Sequence, residues 1–166
     1  MIPKSAAISE DEARAIIAMP KAIHGNVEWK NNPTSSAFFK ATFVVYDEKG
    51  ATIPGLTVEL NYRHSNVANE CNHKFTIFKL KGNRPLRAYQ VEVYPASRQS
   101  HRENGVAVFG PHQHIGEQYE PINDVSALTC AEYAGWMRKF FGLANIKFTG
   151  TYSPPELHAG QLDLGI

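Results

Sequence analysis

The sequence predicts an α+β fold, an antiparallel sheet of about five or six strands with an N-terminal and a C-terminal helix packed on one face. Three observations lead there. Capping boxes followed by apolar residues at helical spacing stand near the two ends of the chain. Between them lie runs rich in aromatic and β-branched residues, each stopped by a turn signal. One of these runs, LTVELNY at 56–62, alternates strictly, as a strand with one wet face does. Helix, strand meander, helix is an α+β order.

The first helix starts at Ser9, whose hydroxyl can accept from the backbone three residues on while Glu12 reaches back. Ala13, Ile16 and Ile17 share a face, and Pro20 stops the helix near Met19. A helix this short must dock to persist. Strands follow over Phe38–Tyr46, ended by Asp47-Glu48-Lys49-Gly50, and over residues 56–62. Further strands are predicted over Lys74–Leu80 and Leu86–Tyr94. The short connection between these last two argues for a hairpin. Gly105–Phe109 makes a fifth, shorter strand. The last helix has a capping box at Thr129 and Glu132 and a hydrophobic staple of Leu128 with Tyr133. Tyr133, Trp136, Met137, Phe140 and Phe141 form its buried face; Arg138 and Lys139 suit its C-terminal end, and Gly142 stops it. A strand over Asn145–Thr149 is expected next. Residues 1–152 then form one domain, and 153–166 an extended C-terminal arm.

With 166 residues, 43% hydrophobic and 20% charged, the chain can bury a real core. A net charge of +1 gives no global field toward nucleic acid or membrane. No apolar run is long enough to span a bilayer, and the N-terminus has no hydrophobic signal core. Cys71 and Cys130 make no C-x-x-C pair and are too few for a disulfide framework, so they are expected to be buried or half-buried thiols in a reducing cytoplasm.

Chemistry concentrates in GPHQHIGE at 110–117. On an extended chain His112 and His114 project from the same face. Pro111 confines the segment to a sheet edge or a bulge. His101, in SHREN, can fold back toward the pair; Glu117 supplies a carboxylate and Tyr119 follows closely. Paired imidazoles can share acid and base work or ligate a metal. The alternative is that these rings hydrogen-bond to backbone at a sheet rim and fix a loop. His64 and His73 read as polar loop residues, and Cys71 with His73 lacks an oxyanion motif. Tyr62, Tyr89 and Tyr94 could stack bases on a sheet face, but strand tyrosines are mostly packing residues and no RRM-like aromatic motif is present.

H-x-H followed by a carboxylate resembles the cupin metal motif, which implies a β-barrel and a bound metal ion. The spacing departs from that pattern: Gly105 stands one residue early, only Ile115 and Gly116 separate His114 from Glu117, and Asp124 stands where a glycine belongs. No final histidine follows on a later strand, since His158 is in the tail. The size and layout otherwise have the general look of small bacterial or phage proteins.

The leading expectation is a cytoplasmic, metal-independent phosphodiester hydrolase, an endoribonuclease of toxin type needing no cofactor. His112 and His114 transfer protons, His101 supports them, and Glu117 orients a histidine beside Tyr119. Arg87, Arg98 and Arg102 hold the phosphate of an RNA or nucleotide substrate. The alternatives are a non-enzymatic binding protein, such as a phage-encoded inhibitor of a host CRISPR-like defence complex, and a cupin-like metal-binding protein. No membrane partner is expected, and a homodimer stays open.

Overall fold

A computed structural model describes residues 6–32, 35–63, 71–122, 128–129 and 132–155. His64, Asp124, Cys130, His158 and the arm from residue 156 onward lie outside the described residues. Strands hold 51% of what is described, and helices are two short elements. The α+β expectation of five or six strands is therefore corrected: the architecture is mostly β, built on one mixed sheet of nine strands.

In chain order the elements are α1 (Glu10–Ala18), β1 (Lys21–Ile23), β2 (Lys30–Asn32), β3 (Ser35–Tyr46), β4 (Thr52–Arg63), β5 (His73–Lys81) and β6 (Arg84–Val93). Then come β7 (Gln99–Glu103), β8 (Val106–Phe109), β9 (His112–Ile115), β10 (Gln118–Pro121), α2 (Tyr133–Leu143) and β11 (Ile146–Phe148). The large sheet runs β10-β9-β6-β5-β4-β3-β1-β11, with β2 also on β3. Every pairing is antiparallel except β1 with β11. The predicted fifth strand exists as β8, but it pairs with β7 in a separate two-stranded hairpin.

The sheet is made by long strands with one apolar face. Phe43, Val45, Leu56, Val58, Leu60, Phe75, Ile77, Tyr89, Val91 and Val93 are buried on it. α2 lays Tyr133, Trp136, Met137, Phe140 and Phe141 against this face; Phe140 stacks on Tyr89 at 5.8 Å and meets Phe75 at 5.7 Å. α1 adds Ala13 and Ile16 to the same core cluster. Ser9 caps α1 as expected, accepting from Glu12 N at 3.3 Å. The Glu12 carboxylate instead takes Lys81 Nζ at 2.6 Å. Buried Lys21 closes the other end of α1, its Nζ donating to Ile16 O and Met19 O, each at 2.5 Å.

α2 differs from expectation at both ends. Glu132 is its N-cap and makes no side-chain capping bond. Thr129 serves through its backbone, accepting from Trp136 Nε1 at 2.9 Å. The helix runs through Gly142, and Asn145, at φ 55°, turns the chain into β11.

Two further expectations are revised, at His73 and Cys71. His73 is a buried strand residue, packed between Tyr62 and Tyr133 at 5.1 and 4.8 Å. Tyr89 is only 1% exposed and belongs to the core, the packing role strand tyrosines ordinarily have, so the three tyrosines form no open stacking face. Cys71 is buried and disulfide-bonded, not a thiol. Disulfides form in oxidising surroundings, so Cys71 does not support the reducing compartment read from the cysteine count. Among the described residues no helix is long and apolar enough to cross a membrane.

Candidate metal centre

The second face of the sheet is polar. On β6, Gln90 and Glu92 alternate with Val91 and Val93, so the apolar pair joins the core while the polar pair points away from it. β9 pairs with β6 in the register Gln90↔His114 and Glu92↔His112, and β10 sets Tyr119 opposite His114. Directly paired residues point to the same side, so Glu92, Gln90, His112, His114 and Tyr119 share one patch of this face. The alternation that puts His112 and His114 on one side was legible in H-x-H; the strand simply begins after Pro111 rather than continuing β8.

Two glycines make the placement possible. Gly110, at φ 68°, ends the hairpin and turns the chain back to the sheet edge. Gly116, at φ 55°, closes the β9–β10 turn beneath α1, where a Cβ would lie 2.5 Å from Ile8 O.

The β7–β8 hairpin covers the patch and brings His101 down onto it. Its ring centroid lies 4.9 Å from His112 and 5.3 Å from His114. One ligand-type atom from each of Glu92, His101, His112 and His114 lies within 4.8 Å of all the others. The closest approaches are 3.1 Å between His112 Nε2 and His114 Nε2, 3.3 Å from His112 Nε2 to Glu92 Oε2, and 3.8 Å from His114 Nε2 to Glu92 Oε1. His112 is fully buried, and His114 and Glu92 nearly so.

The ring tautomers follow from the outer partners. His112 Nδ1 faces Gly110 O at 3.1 Å, an acceptor only, so this nitrogen carries the proton. Ser100 Oγ donates to Val108 O at 3.2 Å and lies 3.1 Å from His101 Nδ1, which therefore donates to it. In both rings Nε2 is then the nitrogen turned toward the centre, the orientation in which histidine ligands are normally held. His101 Nε2 is buried without a hydrogen-bond partner, 3.4 Å from Glu103 Oε2. Four ligand-type atoms thus converge on one buried point, an arrangement that a cation among them would stabilise.

The electrostatics favour the neutral forms of His101 and His114. Burial, reinforced by the charge of Arg87, pushes His114 down to about 3. Burial and the neighbouring His112 also lower His101. Burial acts to raise Glu92, but the hydrogen bond with His112 and the charge of Lys74, 4.0 Å away, outweigh it and hold the carboxyl at about 2.

Not every expected residue reaches the centre. His101, His112 and His114 converge, and the Tyr119 ring stands 5.5 to 6.3 Å from all three. Glu117 is exposed in the β9–β10 turn, and the carboxylate at the centre is Glu92. Arg98 and Arg102 are exposed, and Arg102 donates to Gly105 O at 3.0 Å. Arg87 is half-buried and donates to Gly116 O at 3.3 Å. Glu92 had one sequence signal, a carboxylate alternating with valines in a central strand, where burial demands a partner.

Two surface clefts lie elsewhere. One is bounded by Pro20, His24, Asp47 and Asn145, the other by Tyr94, Ala96, Pro111 and Trp136. The His and Glu cluster is loosely compatible with a cupin-like His/Glu motif, although its carboxylate, Glu92, precedes H-x-H in sequence where the motif's follows it. The sequence itself matches no family model, no curated protein and no solved structure.

Proposed function

We propose that the chain is a metal-dependent phosphodiester hydrolase, in which Glu92, His101, His112 and His114 hold one divalent first-row transition-metal ion. The observation that carries this is the mutual spacing of the four ligand atoms. Ligands roughly 2.1 Å from a metal stand about 3.0 Å apart at the edge of an octahedron and about 3.4 Å apart in a tetrahedron. The closest approaches, 3.1 and 3.3 Å, fall in that range, and the wider pairs, up to 4.8 Å, would draw in around an ion. Imidazole with one carboxylate suits zinc, iron, manganese or nickel.

The same spacing weighs against metal-free catalysis by the histidine pair. Two imidazoles serving opposite oxygens of a phosphodiester need the phosphate between them, and a 3.1 Å separation leaves no room for it. A reading as a binding protein anticipates histidines scattered or singly buried; their convergence favours a ligand site.

A metal held by Glu92, His101, His112 and His114 would supply Lewis-acid chemistry, activating water and polarising a phosphoryl oxygen for hydrolysis of the ester. Lys74, beside Glu92 on the open face, supplies positive charge for the phosphate.

Elemental analysis after exposure to Mn²⁺, Fe²⁺, Co²⁺, Ni²⁺ or Zn²⁺ and dialysis tests the centre. One equivalent of metal is expected per chain. It is expected to be lost in Glu92→Gln and His112→Ala, kept in Glu117→Gln, and accompanied by metal-dependent cleavage of a bis-aryl phosphodiester. A folded wild-type chain that retains none of these ions removes the metal centre. A stoichiometric metal without phosphodiester cleavage removes the hydrolase and leaves the centre.

A further inference from the structure

The polar face of the sheet carries a row of residues that crosses it strand by strand and ends at the metal centre. The registers are Lys30↔Lys40, Lys40↔Asn61, Asn61↔Lys74, Lys74↔Glu92 and Glu92↔His112. Residues paired in this way project from the same face. The row therefore reads Lys30, Lys40, Asn61, Lys74, Glu92, His112, with no register shift inside it. Adjacent strands are ~4.8 Å apart, so the row is roughly 24 Å long. Lys30 and Lys40 are exposed, and Lys74 is half-exposed.

The rows on either side sharpen its character. One holds Phe38 and Arg63, with the guanidinium 5.2 Å from the ring centroid. The other holds Thr42, Glu59, Thr76, Gln90 and His114. Among the described residues of these three rows, Lys30, Lys40, Arg63 and Lys74 stand against Glu59 alone outside the metal centre. Although the net charge of the chain is only +1, this lane holds four of its 17 lysines and arginines against one carboxylate outside the candidate metal centre. Such a lane is the electrostatic footprint of a polyanion.

We infer that this lane binds the backbone of a single-stranded nucleic acid and feeds it toward the metal centre. This deepens the hydrolase reading and rests on it for the second half of the claim. Repeating phosphates match cations repeated across strands, and Phe38 with Arg63 offers a flat surface for a base. The single strand is favoured over a duplex because the centre is recessed: His112 is fully buried under the hairpin. A flexible strand can bring one phosphodiester there, whereas a rigid cylinder meets the hairpin first.

Fluorescence anisotropy with short labelled oligonucleotides across a salt series tests the lane. Single-stranded RNA and DNA are both expected to bind, with a dependence of log K on log salt near −2, about −0.7 for each of three lysines. The double substitution Lys30→Gln/Lys40→Gln is expected to flatten that slope by about 1.4 while the metal content stays at wild-type level. Glu59→Lys is expected to tighten binding. The inference is overturned by unchanged binding in the double variant, by no binding at low salt, or by equal binding to heparin or to duplex. Loss of metal from an otherwise binding-competent chain would instead remove the hydrolase reading and leave the lane.

Discussion

His114 illustrates how a single ring reports on its surroundings. Its folded-state value, about 3, lies below the ordinary 6.5 because burial and Arg87 disfavour its charged form. The unfolded chain therefore binds more protons through this interval. The stability linked to His114 is complete above pH 6.5 and is lost as pH falls toward 3. His101 is shifted the same way, and Glu92 extends the loss below its ordinary 4.5 toward 2. Urea midpoints of the metal-free protein should hold steady above neutrality and fall between pH 6.5 and 4.5, and His114→Gln should make that fall shallower. A midpoint indifferent to pH across that window would show that the rings are not buried as described. At this scale the sequence was partly readable. Alternation alone put His112 and His114 on one side, because two-residue periodicity is a local property. Glu117 is the carboxylate near the histidines in sequence, but nearness along the chain carries no information about which strand lies alongside, and the strand alongside brings Glu92.

The turn between β9 and β10 couples the site to α1, and glycine is what allows it. At Gly116 the backbone has φ 55°, and a Cβ would stand 2.5 Å from Ile8 O and 2.7 Å from Ser9 O. Both are backbone atoms and cannot rotate aside. Gly116→Ala should destabilise the protein by about 2 kcal/mol or more. Gly142→Ala is the contrast, since that glycine lies inside α2 with open space around it. It should stabilise by about 1 kcal/mol, the helix-propensity difference. Chemical denaturation of the two variants checks both signs, and equal effects would discount the packing of α1 on the turn. Long elements were legible for the reason the glycines matter: β3 to β6 are held by sustained alternation over one buried face. β1, β2, β9 and β10 have three or four residues each, too few for a period to show. Their existence depends on a neighbouring strand, so the sheet grew from five or six strands to nine. The cap of α2 falls at Glu132, and the Thr129 hydroxyl is turned to the Glu132 carboxylate, not to the backbone of the helix.

Across the whole molecule the centre ties together elements that the sheet alone leaves separate. Glu92, His112 and His114 stand on β6 and β9, inside the large sheet, whereas His101 stands on a hairpin that is hydrogen-bonded within itself. A metal drawing on both would therefore act as a cross-link, and its binding energy would also be folding energy. At a free metal concentration one hundred times Kd the expected gain is about 2.7 kcal/mol. For a chain of this size that is roughly 5–10 °C in Tm. Chelation should reverse it. His101→Ala separates the two roles, because three ligands on the rigid sheet remain. The variant should still gain stability from metal, by a smaller increment, but metal should no longer slow hydrogen exchange in residues 99–109. If metal protects the hairpin equally with and without the His101 ring, the hairpin is held by packing alone, and His101 lies beside the ion without being bound to it.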